Sequence, residues 1–180
     1  LLLRINVNRL AYLTDNLTTV CFDYFVGLVV EGVEVPQDVR DVDVALRKYE
    51  GALNLQPGVI ILFPEISSVE GLTALGGILD SVDRIGAMFI NCKQITSDLG
   101  RKQNYSVLNE YILSRAAVET RAKRIPWVLA EYDMNIQSEL LSISYNADAL
   151  GVVVTSEAQV LGINSLFSPS SSEVEQAKRL

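Results

Sequence analysis

The sequence predicts a parallel α/β fold, and two alternating textures predict it. Short apolar runs recur at residues 1–6, 25–30, 59–63, 85–90, 126–130 and 151–155. Each is too short for a typical helix and rich in Val, Ile, Leu or Phe, the texture of strands buried on both faces. Between the runs lie amphipathic stretches. No hairpin signal joins neighbouring runs, so strand, helix, strand, helix implies βαβ units in series.

The helical stretches follow in chain order. After Pro36, residues Val39, Val42, Leu46 and Tyr49 recur at helical spacing, with Asp, Arg and Lys between them. Ser67 and Glu70 have the spacing of a capping box at the start of the next helix. Val107, Tyr111, Ser114, Ala117 and Val118 define one face of a long helix ending near Lys123 and Arg124, cations that suit a helix C-terminus. Ile136, Leu140, Leu141 and Ser144 mark another. The last is expected to start at Ser168 as cap, with Pro169 at the first helical position and Glu173 three residues after Ser170.

About six such units suit a (β/α)8 barrel lacking its first two strands; a doubly wound open sheet is the alternative. Periodicity does not separate them. No composition break divides the chain, so residues 1–180 are expected to form a single domain. The chain opens inside a run that reads as a strand. An exposed strand edge there is an aggregation hazard, so further N-terminal strands are expected to precede it, and a C-terminal extension to follow.

Composition narrows the function classes. A net charge of -7 and a pI near 4.6 argue against nucleic acid and against an anionic membrane surface. The chain has no histidine, which removes histidine-based zinc sites, the Ser-His-Asp triad and an imidazole base. Acid–base work must fall to Asp, Glu, Lys, Tyr or Cys. Cys21 and Cys92 are far apart in apolar surroundings and read as buried free thiols. No apolar run reaches transmembrane length and no secretory signal is visible, so a cytoplasmic location is expected, with an organellar matrix as the alternative.

Several segments, taken together, resemble the citrate lyase beta-subunit and malyl-CoA lyase family, within the HpcH/HpaI aldolase–citrate lyase superfamily. Leu3-Arg4-Ile5-Asn6 resembles the "VRVN" of the third barrel strand. Gly32-Val33-Glu34 through Gln37-Asp38-Val39 resembles "KVESAEDV" after the fourth, and Ile66 to Leu72 resembles "IETARGV" after the fifth. Ile95 to Gly100 resembles the end of "FGAEDLAADLG" after the sixth. Tyr111, Ser114, Arg115, Ile125 and Pro126 fit "YARSRVV…GIP", and Tyr132 fits the Tyr of "DGVY". Gln159-Val160, Ile163-Asn164 and the final "FSPSSSEV" fit "IHPSQI…IN…FSPSEEEV". Each match is weak alone; their collinearity over nearly the whole chain carries the resemblance.

The resemblance implies a TIM (β/α)8 barrel, here a fragment covering strands three to eight. It implies cleavage or formation of a carbon–carbon bond in a CoA thioester or related acid. It also implies a magnesium ion held by a Glu after strand five and an Asp after strand six, with an Arg on strand three facing the substrate. Arg4 matches that Arg, as a catalytic and substrate-binding residue; the alternative is an ion pair inside the barrel. The two metal positions fall on Ser67 and Gln94, neither a carboxylate. Glu65 is the candidate substitute ligand, two residues down the same strand face, about 6–7 Å away. Lys93 stands where the family has Glu, Gly32 where it has Lys, Leu129 where it has Asp, and Thr155 to Gln159 replace "IHPSQ". Asp98 matches a second family Asp and is expected to face away from the site. Tyr132 and Asp133, near a strand end, are substrate-binding candidates.

Two functions follow from this pattern. One is a magnesium-dependent carbon–carbon lyase of reduced activity, its carboxylates drawn from Glu65, Glu157 and Asp133. The other is a non-catalytic binding or assembly subunit that keeps the barrel and has lost the ion. In both, the expected partner is a small acyl-CoA or organic acid, and a homo-oligomer is expected.

Overall fold

The computed structural model describes residues 2–9, 26–100, 106–130, 138–169 and 171–179. Its six strands are β1 (Leu2–Asn6), β2 (Gly27–Glu31), β3 (Ile61–Ile66), β4 (Met88–Ile90), β5 (Trp127–Leu129) and β6 (Gly151–Val152). Every pairing is parallel, and the spatial order β1-β2-β3-β4-β5-β6 follows the sequence. The order never reverses, so the doubly wound alternative, which requires a switch point, is excluded. Each of the six apolar runs overlaps a strand, with β2 and β3 extending past the C-terminal ends of theirs.

The helices are α1 (Pro36–Ala52), α2 (Val69–Thr73), α3 (Leu75–Leu79), α4 (Cys92–Asp98), α5 (Ser106–Lys123), α6 (Ser138–Asn146), α7 (Glu157–Phe167) and α8 (Ser171–Ala177). α1 behaves as its spacing predicts: Pro36 opens it, Asp38 accepts from the backbone N–H groups of Glu34 and Val35, and Val39, Val42, Leu46 and Tyr49 are buried. α5 exists over the predicted span but presents a different face. Val107, Tyr111 and Val118 are exposed, whereas Asn109, Ile112, Leu113, Ala116 and Thr120 face the core. Ile112 and Leu113 take the buried side, and the exposed Tyr111 hydroxyl accepts from Arg115 Nη1 at 3.3 Å. Leu140, Leu141 and Ser144 are buried as expected; Ile136 lies outside the described residues. Ser168 ends α7 in extended conformation rather than capping α8, and Pro169 precedes that helix instead of opening it.

Alternation along the strands divides the sheet into two faces. Leu28, Val30, Leu62, Ile66, Met88, Ile90, Trp127 and Leu129 are almost wholly buried, in one cluster with Val42, Leu46, Ile78, Ile112, Leu113 and Ala116 of the helices. Each such side chain contributes about 1.5–3 kcal/mol relative to exposure. The opposite face holds Arg4, Val29 and Phe63 in one register row and Glu65, Phe89, Val128 and Gly151 in the next. That second face carries the candidate site. Cys92 is buried, and burial pushes its thiol up to about 12 despite a Thr96 hydrogen bond that lowers it. It stays a protonated, unreactive thiol at neutral pH, while Cys21 lies outside the described residues.

A second polar cluster sits at the opposite, N-terminal ends of the strands. Glu50 is fully buried and accepts from Arg84 Nη1 and Nη2 at 2.8 and 2.9 Å. It also accepts from the backbone N–H groups of Gly58 and Ile60, both at 3.0 Å. Asp43 joins this cluster through Arg84 Nε at 2.7 Å and Arg47 Nε at 2.8 Å. These residues tie the end of α1 to the starts of β3 and β4.

Candidate functional site

Arg4 lies midway along β1, opposite Val29 in the register. Its Nη2 donates to Glu65 Oε2 at 2.5 Å, and its Nε is paired with Glu31 Oε1. Glu31 ends β2 and Glu65 stands one residue before the end of β3. Glu65 is 3% exposed, whereas the side chains of Arg4 and Glu31 are 39% and 36% exposed. Its second oxygen accepts from Asn91 Nδ2 at 3.2 Å. Asn91 follows β4 and caps α4, its Oδ1 accepting from the backbone N–H of Gln94. Arg4 from the middle of β1, Glu31 and Glu65 from the C-terminal ends of β2 and β3, and Asn91 just after β4 thus come together, toward the end of the sheet where a parallel barrel carries its chemistry.

Of the two readings open for Arg4, the ion pair is present, and the residue is also accessible from solvent. Glu31 and Asn91 were missed by the sequence reading. Asn91 had a visible signal, an Asn before a helical stretch; Glu31 had none, because its partner is remote in sequence.

Magnesium draws its affinity from ionised oxygens and gives up water reluctantly. Ser67 offers a hydroxyl, and Gln94 is exposed on the first turn of α4. Glu65, the substitute candidate, already has Arg4 and Asn91 on its two oxygens. Among the described residues, no group of three or more Cys, Asp or Glu side chains is placed to hold a metal ion. The described residues at these strand ends do not fit a magnesium ion.

The remaining candidates fall as follows. Glu157 is exposed at the start of α7. Tyr132 and Asp133 lie outside the described residues. Leu129 is a core residue of β5. Gly32 has φ +74°, a left-handed conformation that a Lys would adopt only under strain. The predicted Ser67–Glu70 capping box is corrected to Ser68, whose hydroxyl accepts from Gly71 N–H at 3.1 Å. Ser68 wins because the helix starts one residue later. Asp98, exposed on α4, accepts from the backbone N–H of Val69 at 2.8 Å, serving the start of α2 rather than the site.

Gly71 owes its identity to a close approach. A Cβ there would lie 2.5 Å from the carbonyl oxygen of Val33, a backbone atom that cannot rotate away. Gly71→Ala is expected to cost about 1–3 kcal/mol by overpacking, measurable as a lowered denaturant midpoint with unchanged slope. β4 carries a local irregularity beside the site. The Leu62–Ile85 bridge and the Glu65–Phe89 pair enclose one more residue on the β4 side, as in a bulge. Far from the site, a groove of about 770 Å³ lies at the N-terminal end of β5, lined by Thr120, Arg121, Arg124, Trp127, Asn146 and Asp148 among others.

No protein-family model matches the sequence, and no curated protein sequence matches it. Solved structures do match in fold. RipC from Yersinia pestis superposes with a TM-score of 0.75 at 21% identity, covering 96% of this chain and 79% of that one. A citrate lyase from Burkholderia xenovorans gives 0.79 at 10% identity, covering 99% and 60%. Malate synthase from Haloferax volcanii gives 0.79 at 15% identity in its pyruvate/acetyl-CoA ternary complex, covering 94% and 51%. The same enzyme gives 0.76 at 17% identity in its magnesium/glyoxylate complex, covering 90% and 51%. The fold is therefore that of a (β/α) barrel, with six parallel strands in the order expected for barrel strands three to eight. More particularly, the fold is the one shared by the citrate lyase and malate synthase structures, of which the chain spans 60% and 51% of the length.

Proposed function

We propose that this chain is a divergent carbon–carbon lyase of the citrate lyase beta-subunit and malyl-CoA lyase family, acting on a CoA thioester or related acid, with turnover reduced by loss of its magnesium site. One observation supports the loss of the ion: the motif resemblance assigns the two metal positions to Ser67 and exposed Gln94, neither a carboxylate, while Glu65 is engaged by Arg4 and Asn91. The magnesium/glyoxylate and pyruvate/acetyl-CoA complexes of the Haloferax volcanii enzyme support an organic acid and an acyl-CoA as the ligand classes.

Carbon–carbon cleavage next to a thioester leaves an enolate-like charge, and the rate depends on what offsets it. Arg4 is the described cation at the site, and its charge is already shared with Glu31 and Glu65. Two carboxylates around one guanidinium leave little positive charge to offset the enolate, which is why a reduced turnover is proposed. The same observation favours a second reading, a non-catalytic binding or assembly subunit within a homo-oligomer. No helix among the described residues is long and apolar enough to cross a membrane, and the proposed location is the cytoplasm or an organellar matrix.

Calorimetric titration with magnesium, with and without a CoA thioester, tests the reading alongside a Ser67→Glu/Gln94→Asp double variant. The unmodified protein is expected to bind no magnesium in the millimolar range and to turn over near background, and the double variant to gain binding. A rate above the uncatalysed background selects the weakened lyase over the non-catalytic subunit. Tight magnesium binding by the unmodified protein would overturn both and return Glu65 to the role of ligand.

A further inference from the structure

We propose that the Arg4 guanidinium is the resident cation of this site, joining the carboxylates of Glu31 and Glu65 across the ends of three adjacent strands as a divalent ion would. The inference rests on the reading above that the magnesium positions have been lost, and it can fail independently of it.

The geometry is that of a clamp. The Nε and Nη2 atoms form one edge of a guanidinium, and that edge commonly takes both oxygens of a single carboxylate. Here it takes one oxygen from each of two, Glu31 of β2 and Glu65 of β3. Glu65 is 3% exposed, and a buried carboxylate beside a second carboxylate is costly unless a cation joins them. Arg4 supplies that cation from β1. Asn91 holds the far oxygen of Glu65 and so fixes the carboxylate's orientation.

A tethered cation has consequences that a bound ion does not. It needs no metal in solution, and no chelator can remove it. It also competes with any divalent ion for Glu31 and Glu65, at an effective concentration set by the chain itself. Removing its charge should therefore open a divalent site that the unmodified protein lacks.

The test uses Arg4→Ala and Arg4→Gln in the full chain, with Mn²⁺ as the probe. Uptake is read from loss of the free-ion paramagnetic resonance signal, and stability from thermal unfolding with and without Mn²⁺. The unmodified protein is expected to take up none and to show no shift. Arg4→Ala is expected to gain at least about tenfold in Mn²⁺ affinity and to recover thermal stability when the ion is added. Adding Glu31→Gln should abolish the gain. If Arg4→Ala fails to fold, the uncharged Arg4→Ala/Glu31→Gln/Glu65→Gln variant should fold, because no carboxylate is then stranded. A folded Arg4→Ala that takes up no Mn²⁺ overturns the proposal, as does a triple variant that fails to fold. Absence of gain in Arg4→Ala, with none in the unmodified protein, sinks the clamp alone; magnesium uptake by the unmodified protein sinks the loss of the metal site.

Discussion

Arg84→Met is expected to destabilise the fold by about 3–5 kcal/mol, the cost of stranding a buried charge. Glu50 has no exposed surface, and both of its oxygens receive Arg84 nitrogens. Without Arg84 the carboxylate keeps only the N–H groups of Gly58 and Ile60, and Asp43 keeps Arg47. Adding Glu50→Gln to Arg84→Met should recover a large part of the loss, because the stranded charge is gone while an acceptor remains. Denaturant unfolding of the two single variants and the double variant measures the coupling. Equal and additive losses would show that the pair acts only through packing.

The same cluster sets an acid limit. Burial acts to raise the Glu50 carboxyl, but the hydrogen bonds from Arg84, Gly58 and Ile60 outweigh it and hold it below its ordinary value of 4.5. A group depressed on folding contributes stability that is present above its unfolded value and lost as pH falls through its folded value. Stability should therefore decline below about pH 4.5, and less steeply in the Glu50→Gln/Arg84→Met double variant than in the unmodified protein.

Trp127→Ala is expected to cost about 3–5 kcal/mol, in the range of aromatic deletions from a close-packed core. Trp127 is 2% exposed on β5, and its Nε1–H donates to the Ala147 carbonyl at 3.2 Å. Its removal leaves a cavity and an unpaired carbonyl beside the groove lined by Thr120 and Ala147. The void would open to that groove and admit water, so the structure cannot recover packing by collapsing on it. Trp127→Phe keeps most of the volume and should cost far less. Thermal and denaturant unfolding of both variants separates lost packing from the lost hydrogen bond.

Strand positions, helix order and parallel pairing were legible in the sequence. They depend on local texture: apolar runs of strand length, helical spacing between them, and no hairpin turn. The roles given to Arg4, Ser67 and Gln94 rest on a collinear series of motifs rather than on local texture. Which face of α5 is buried was not legible. Ile112 and Leu113 face the core and Tyr111 faces solvent, and helical periodicity alone allowed a stripe centred on either. The cap of α2 depended on where the helix begins, and one residue's difference moved it from Ser67 to Ser68.

The sequence by itself determined a series of βαβ units in a chain without a histidine. Only the tertiary structure decided where the charges went. Arg4 and Glu65 are 61 residues apart, and Arg84 and Glu50 are 34 apart. No local pattern reports such pairs, because the register of parallel strands and the docking of α1 bring them together. The physical reason is the cost of burying a charge without a partner. That cost obliges Glu65 to meet Arg4 at one end of the sheet and Glu50 to meet Arg84 at the other.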